Sequence, residues 1–209
     1  MDLPRGRFTD ALVAIVAFAA LFSALALGLN AALAQFGFVP ADFLAGGWHQ
    51  YPVISWASPL ASALIPRSIL DAVFNGVFLL IAGRFVERAI GPVGLGVVAV
   101  AGAYGGALAR LALTPGSLIV SAGLAPTLFA VVGAYLMLYG APHALPVPRN
   151  QPRVVQIAVL ACYWIAVDLA FALVSGSVEI SSSIIGPLGG LLTGVALARP
   201  LLAWQYRKA

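Results

Sequence analysis

Long apolar runs, separated by short polar or proline-rich breaks, dominate the pattern of this chain. A membrane-crossing helix needs about 20 mainly apolar residues. Six stretches approach or meet that length, at about 11–34, 68–90, 93–113, 120–139, 154–174 and 184–203. Thr9 and Asp10 precede the first as N-cap candidates. Its end, Ala32-Leu33-Ala34, has the small-residue look of a processing site, but the apolar run is too long for a signal-peptide core, so a retained helix is expected. Residues 35–67 read as a long connector, with Pro40, Pro52, Pro59 and Pro66 among Phe36, Phe38, Phe43, Trp48, Tyr51 and Trp56. That aromatic density suits the membrane–water interface, and a loop of this length is uncommon unless it is functional.

Gly91-Pro92 separates the second stretch from the third, and Thr114-Pro115-Gly116 ends the third. The fourth is predicted to hold a short helix. Pro126 fits its first turn, where the missing N–H does no harm, and from there to Tyr139 the helix spans about 21 Å. The hydrocarbon core is about 30 Å thick. The preceding residues must therefore enter the membrane as non-helical backbone, which is tolerated only inside protein or beside a wet cavity. A proline-rich connector (Pro142, Pro146, Pro148, Pro152) and a polar loop, Ser175–Ser183, separate the remaining stretches. No internal repeat or second domain is evident, so 1–209 is read as one all-α polytopic membrane domain.

Composition sharpens the picture. The chain is 62% hydrophobic and 9% charged, with a mean hydropathy of +1.02, against about 25% charged residues in soluble domains. Soluble enzymes and disordered chains are both excluded. One cysteine, Cys162, rules out an intrachain disulfide and a multi-cysteine metal site. The net charge of +4 is a matter of topology. With the N-terminus inside, Arg5, Arg7, Arg84, Arg88, Arg149, Arg153, Arg199, Arg207 and Lys208 all fall on the inner side, and only Arg67 and Arg110 fall outside. This follows the positive-inside bias and places both termini in the cytoplasm of a bacterial-type inner membrane. Nucleic acid is not expected as a partner; membrane lipids are.

Three motifs occur in order. Asn75 precedes Gly83-Arg84-Phe85-Val86-Glu87 and Gly91, a G-x-x-x-E-x-x-x-G pattern. Gly123-Leu124-Ala125-Pro126-Thr127-Leu128-Phe129 leads to Gly133-Ala134. Pro187-Leu188-Gly189-Gly190-Leu191-Leu192-Thr193-Gly194 opens the last stretch. Over nearly the whole chain this resembles the rhomboid family of intramembrane serine proteases, whose pattern has H-x-x-x-N before G-x-x-x-E, then G-x-S-G, then H-x-x-G-x-x-x-G. The resemblance implies a six-helix bundle with a long, membrane-embedded first outer loop. It also implies a serine–histidine dyad in the fourth and sixth helices.

The departures fall on the chemistry. The serine position is Ala125, the glycine after it is Pro126, and the histidine position is Pro187. The second-helix histidine position is Asp71, while Asn75 remains, and Trp48-His49-Gln50 lacks the first-loop arginine. Nucleophilic catalysis needs an activatable hydroxyl or thiol beside a base, and an anionic Asp71 would repel an oxyanion. The histidines, His49 and His143, and the sole lysine, Lys208, lie in loops and tail. A Ser121–His49 pair would require the first loop to fold into the cavity. No catalytic residue and no cofactor or metal is therefore expected, and the chain reads as a degenerate, non-proteolytic member.

Two acids remain. Asp71 follows Ser68 as in a capping box, near the positive end of the second helix. Asp168 lies within the fifth stretch, where a carboxylate costs about 2.5–3.5 kcal/mol and usually meets a partner or a cavity. It lies about 10 Å from the outer end, the same depth as Asn75. The second and fifth helices of rhomboids are implied to border a lateral gate, so Asn75, Trp164 and Asp168 are candidate gate or client contacts. Gly186, Gly190 and Gly194, like Gly102 and Gly106, recur every four residues and so share a helix face for close packing. The expected function is binding of a transmembrane helix or membrane partner through the degenerate cavity and gate. The alternatives are a structural or assembly subunit of a larger membrane complex and a divergent intramembrane hydrolase.

Overall fold

A computed structural model describes the backbone of residues 4–140, 151–174 and 180–207; the side chains at 70, 164, 165, 167–174 and 180–183 are not among those described. Described residues are helical or irregular, apart from one isolated antiparallel bridge between Phe38 and Ser121. Helix α1 (Arg7–Phe22) runs into a π-helical turn at Ser23–Leu27 and stops at Gly28, whose φ of 77° leaves the helical region. A second segment, α2 (Leu29–Phe36), follows. The first apolar stretch is thus broken at Gly28 and starts at Arg7, not at residue 11. Thr9 and Asp10 sit inside the first turn, and the N-cap position is Gly6.

The connector expected at 35–67 is substantially helical. Short helical turns cover Pro40–Asp42, Phe43–Gly47 and Trp48–Gln50, and α3 occupies Pro52–Leu64. Pro52 begins α3 where its lost N–H has no helical partner anyway. The aromatics divide by face. Phe38 is buried and its ring meets Phe43, which meets Trp56 edge-on. Trp48, Tyr51, Val53 and Ile54 point outward.

Helix α4 (Ile69–Leu113) consists of two limbs that break at Gly91, with φ 77° and ψ 170°, ahead of Pro92. These limbs, 69–90 and 92–113, are called α4a and α4b. A glycine is needed at 91 because L side chains rarely adopt that φ, and a Cβ there would also meet the Gln205 amide. Helix α5 is Ala125–Tyr139, with Pro126 in its first turn. It is followed by α6 (Arg153–Val174) and α7 (Ile180–Arg207). Among the described residues, Arg7–Leu27, Asp71–Leu113 and Ile184–Arg207 are long and apolar enough to cross a membrane; Ala125–Tyr139 and Arg153–Tyr163 are shorter apolar helices.

The core sits around α5, which buries Leu128, Ala130, Val131 and Ala134 among α1, α4 and α7. Helices α4b, α5 and α7 approach closely enough that their backbones touch. A Cβ at Gly190 would overlap the Pro126 carbonyl and one at Gly194 the Ala130 carbonyl, while one at Gly102 would strike Ala130. Lipid gives helices no hydrophobic drive to associate, so close backbone contact supplies the attraction. Helix α6 stands at the edge. Its described residues pack on α5 and α7, through Ile157 and Leu160 against Leu136 and Leu191, and not on α4.

Candidate functional site

The Glu87 motif proves to be a helix-to-helix joint. Four N–H groups at the start of any α-helix lack intrahelical partners, and α1 has no cap from its own N-cap residue. Glu87 supplies one from α4a. It accepts from Phe8 N–H at 3.1 Å, from Thr9 N–H at 2.8 Å and from the Thr9 hydroxyl at 2.6 Å. A carboxylate there also meets the positive end of the α1 dipole. Gly83 makes room, since a Cβ would lie 2.8 Å from the Thr9 methyl. Arg84 pairs with Asp10 at 2.8 Å across the same joint, not with Glu87 on its own helix.

At the opposite end of α4a, Ser68 caps the helix by accepting from Asp71 N–H at 3.1 Å. The Asp71 carboxylate accepts from the Asn75 amide at 2.8 Å and from Arg67 N–H at 3.4 Å. Arg67 Nε donates to the Ala122 carbonyl at 3.0 Å. Residues 67–75 are thereby tied to the segment entering α5. That segment is held on two further sides. Phe38 and Ser121 exchange backbone hydrogen bonds at 2.9 and 2.7 Å, and Gly123 N–H donates to the Ser62 carbonyl at 2.9 Å. Irregular backbone at membrane depth must find such partners. Gly123 has φ 103°, and a Cβ there would lie 3.4 Å from Asp71 Oδ2.

Ala125 opens α5, and Pro126 behind it meets both Gly186 and Gly190 of α7. The turn of α7 that carries the buried Pro187 therefore lies against the first turn of α5. Between Phe38, Pro59, Ser62, Ser121, Gly123 and Pro126 the cavity measures about 10 Å³. That is the volume one water needs, and no more. The Ser62 hydroxyl donates to the Pro59 carbonyl at 3.0 Å. His49 is exposed, with its ring on Trp48 at 3.4 Å, and among the described residues it makes no contact with Ser121.

Larger space opens sideways. A groove of about 350 Å³ lies between α4a (Phe78, Ile81), α5 (Leu128, Tyr135) and α6 (Leu160, Tyr163). Asn75, only 5% exposed, stands one turn before Phe78 and directs an N–H to Asp71. The side chains of Trp164 and Asp168 lie outside the described residues, as do His143 and the Ser175–Glu179 stretch.

Sequence reasoning missed Arg110. The charge pattern gave it only a side of the membrane, whereas its side chain is 2% exposed, with Nε 3.7 Å from where a Gly186 Cβ would stand. Its place in the last turn of α4b suits a cation at a helix C-terminus. Nothing in the local sequence distinguishes that role from an exposed one.

A polytopic helical protein with a short, glycine-packed central helix and a capping glutamate between its first two spans is thus defined. A family model for the rhomboid domain matches residues 54–204. The chain belongs to the rhomboid family. No curated protein matches the chain.

Proposed function

We propose that this chain is a non-proteolytic rhomboid-family protein that binds a transmembrane helix of a client or partner along its lateral opening. In this reading the chain crosses a bacterial-type inner membrane six times, with α1, α4a, α4b, α5, α6 and α7 as spans and both termini in the cytoplasm. The observation that carries it is the residue pair at the former dyad. Ala125 offers no nucleophile and Pro187 offers no base, and a hydrolase needs both. The close seating of Pro126 against Gly186 and Gly190 supports the same reading, because an attacking water and a scissile peptide would need space between the first turn of α5 and the turn of α7 that carries Pro187.

Binding is favoured at the groove between α4a and α6. It faces lipid, its walls are apolar, and it is the larger of the two openings beside α5 described above. A helix approaching from the bilayer would insert side chains between Phe78 and Tyr163. Asn75 and Asp71 lie at the outer end of α4a and would offer polar contact there.

The test is photo-crosslinking in native membranes from an unnatural residue at Phe78, with Leu192, which is exposed, as control. Crosslinks from position 78 to transmembrane segments of several proteins, absent from position 192, are expected. One partner captured stoichiometrically would favour the assembly-subunit reading. No protein crosslink from either position would overturn helix binding.

A further inference from the structure

The lateral groove has a second property, visible at its far end. Tyr135, which lines it, stacks on Tyr139 with ring centroids 5.3 Å apart. Phe85 meets both rings edge-on, at 5.8 and 5.9 Å, and accepts a hydrogen bond from the Tyr139 hydroxyl at 3.0 Å. The groove therefore leads from the bilayer interior to an aromatic floor at the basic end of the bundle. Arg88, one turn beyond Phe85, is exposed and makes no hydrogen bond or ion pair among the described residues. The Gln205 amide stands against Gly91, three residues beyond Arg88, so the last turn of α7 reaches the same end of α4a.

An apolar slot ending at aromatic rings, with a cation beyond them, is complementary to one phospholipid. A helix with its side chains is about 10–12 Å across. A slot of about 350 Å³ can thus take an acyl chain along its length but only individual side chains of a docking helix. Basic pockets between helices at the cytoplasmic side are suited to anionic headgroups.

We infer that the groove holds a single phospholipid with an anionic headgroup, its acyl chain between Phe78, Leu128 and Tyr163 and its phosphate against Arg88. The lipid stands where a client helix would press its side chains, so helix binding would displace it.

The experiment is native mass spectrometry of the full chain released from vesicles of phosphatidylcholine and phosphatidylglycerol in equal amounts, with no client present. Because the sample contains no helix partner, the result stands apart from the helix-binding proposal. One retained lipid per chain is expected, with phosphatidylglycerol favoured about fivefold, the effect of one basic residue at the surface. Arg88→Gln equalises the two lipids, and Arg88→Lys keeps the preference. Ala82→Leu, which narrows the groove, removes the adduct. Equal retention of both lipids by the wild type overturns the inference. So does a full adduct in Ala82→Leu, or a loss of preference in Arg199→Gln as complete as in Arg88→Gln, which would assign it to diffuse surface charge. Retention of a membrane peptide or a second copy of the chain in place of lipid overturns it as well.

Discussion

Glu87 accepts two hydrogen bonds from Thr9, one from its N–H at 2.8 Å and one from its hydroxyl at 2.6 Å, across 78 residues of chain. Thr9 is fully buried at this joint. The contact fixes one end of α1 to α4a, whereas the far end of α1 borders an apolar groove of about 390 Å³ against Ile69, Val73 and Gly76.

Glu87→Ala should therefore destabilise the fold by about 2 kcal/mol, the range for hydrogen bonds to a charged group. Chemical unfolding in mild detergent measures it. Thr9→Val and Glu87→Ala should be non-additive in a double-mutant cycle, because each removes one side of the hydrogen bond from the Thr9 hydroxyl to the Glu87 carboxylate. Additive losses would show that the contact adds nothing.

Glycine substitutions should divide sharply by position. Gly194→Ala and Gly190→Ala drive a Cβ into carbonyl groups of α5, and overpacking of this kind costs about 1–3 kcal/mol or more. Gly76→Ala meets nothing within 4 Å and should stabilise α4a by about 0.5–1 kcal/mol. Thermal unfolding of the three variants reads both signs.

Arg67→Met removes the donor to the Ala122 carbonyl. The segment before α5 should then open more often, with faster amide exchange at Ser121 and Gly123 and a stability loss of about 1–3 kcal/mol. Exchange confined to α1 instead would place the effect elsewhere.

Much of this was legible in the residues. Pro126 marked the start of a helix too short to cross the bilayer, and Ser68 with Asp71 marked a cap. The spacing of Gly186, Gly190 and Gly194 marked a face for close packing. Other features were not legible, for reasons that can be named. Pro40, Pro52 and Pro59 read as breakers of a loop, yet Pro40 and Pro52 open helical turns, where the missing N–H has no partner to lose, and Pro59 sits inside α3, where the Ser58 hydroxyl donates to the Ser55 carbonyl that Pro59 leaves free. Arg84 and Glu87, three residues apart on one helix, look like a local pair, but the partner of Arg84 is Asp10, 74 residues distant. The cap of α1 comes from α4a, so no local pattern could announce it. Arg110 is buried beside Gly186, a neighbour that only the packing of α4b against α7 reveals.

Rebuilding the dyad should fail. Ala125→Ser combined with Pro187→His restores the reactive groups, but Pro126, directly after the new serine, still packs the first turn of α5 against Gly186 and Gly190 and leaves a substrate little room between them. Arg67 and Asp71 also tie down the residues before Ala125. No turnover of a fluorogenic membrane-helix substrate is expected from this variant.

The central claim is binding without cleavage. A doubly labelled transmembrane peptide, reconstituted with the wild-type chain in vesicles, reads both at once through energy transfer to the protein and between its own labels. Saturable binding of a peptide that stays intact is the predicted result. Cleavage by the wild type that is abolished in Ser121→Ala or His49→Ala would contradict it.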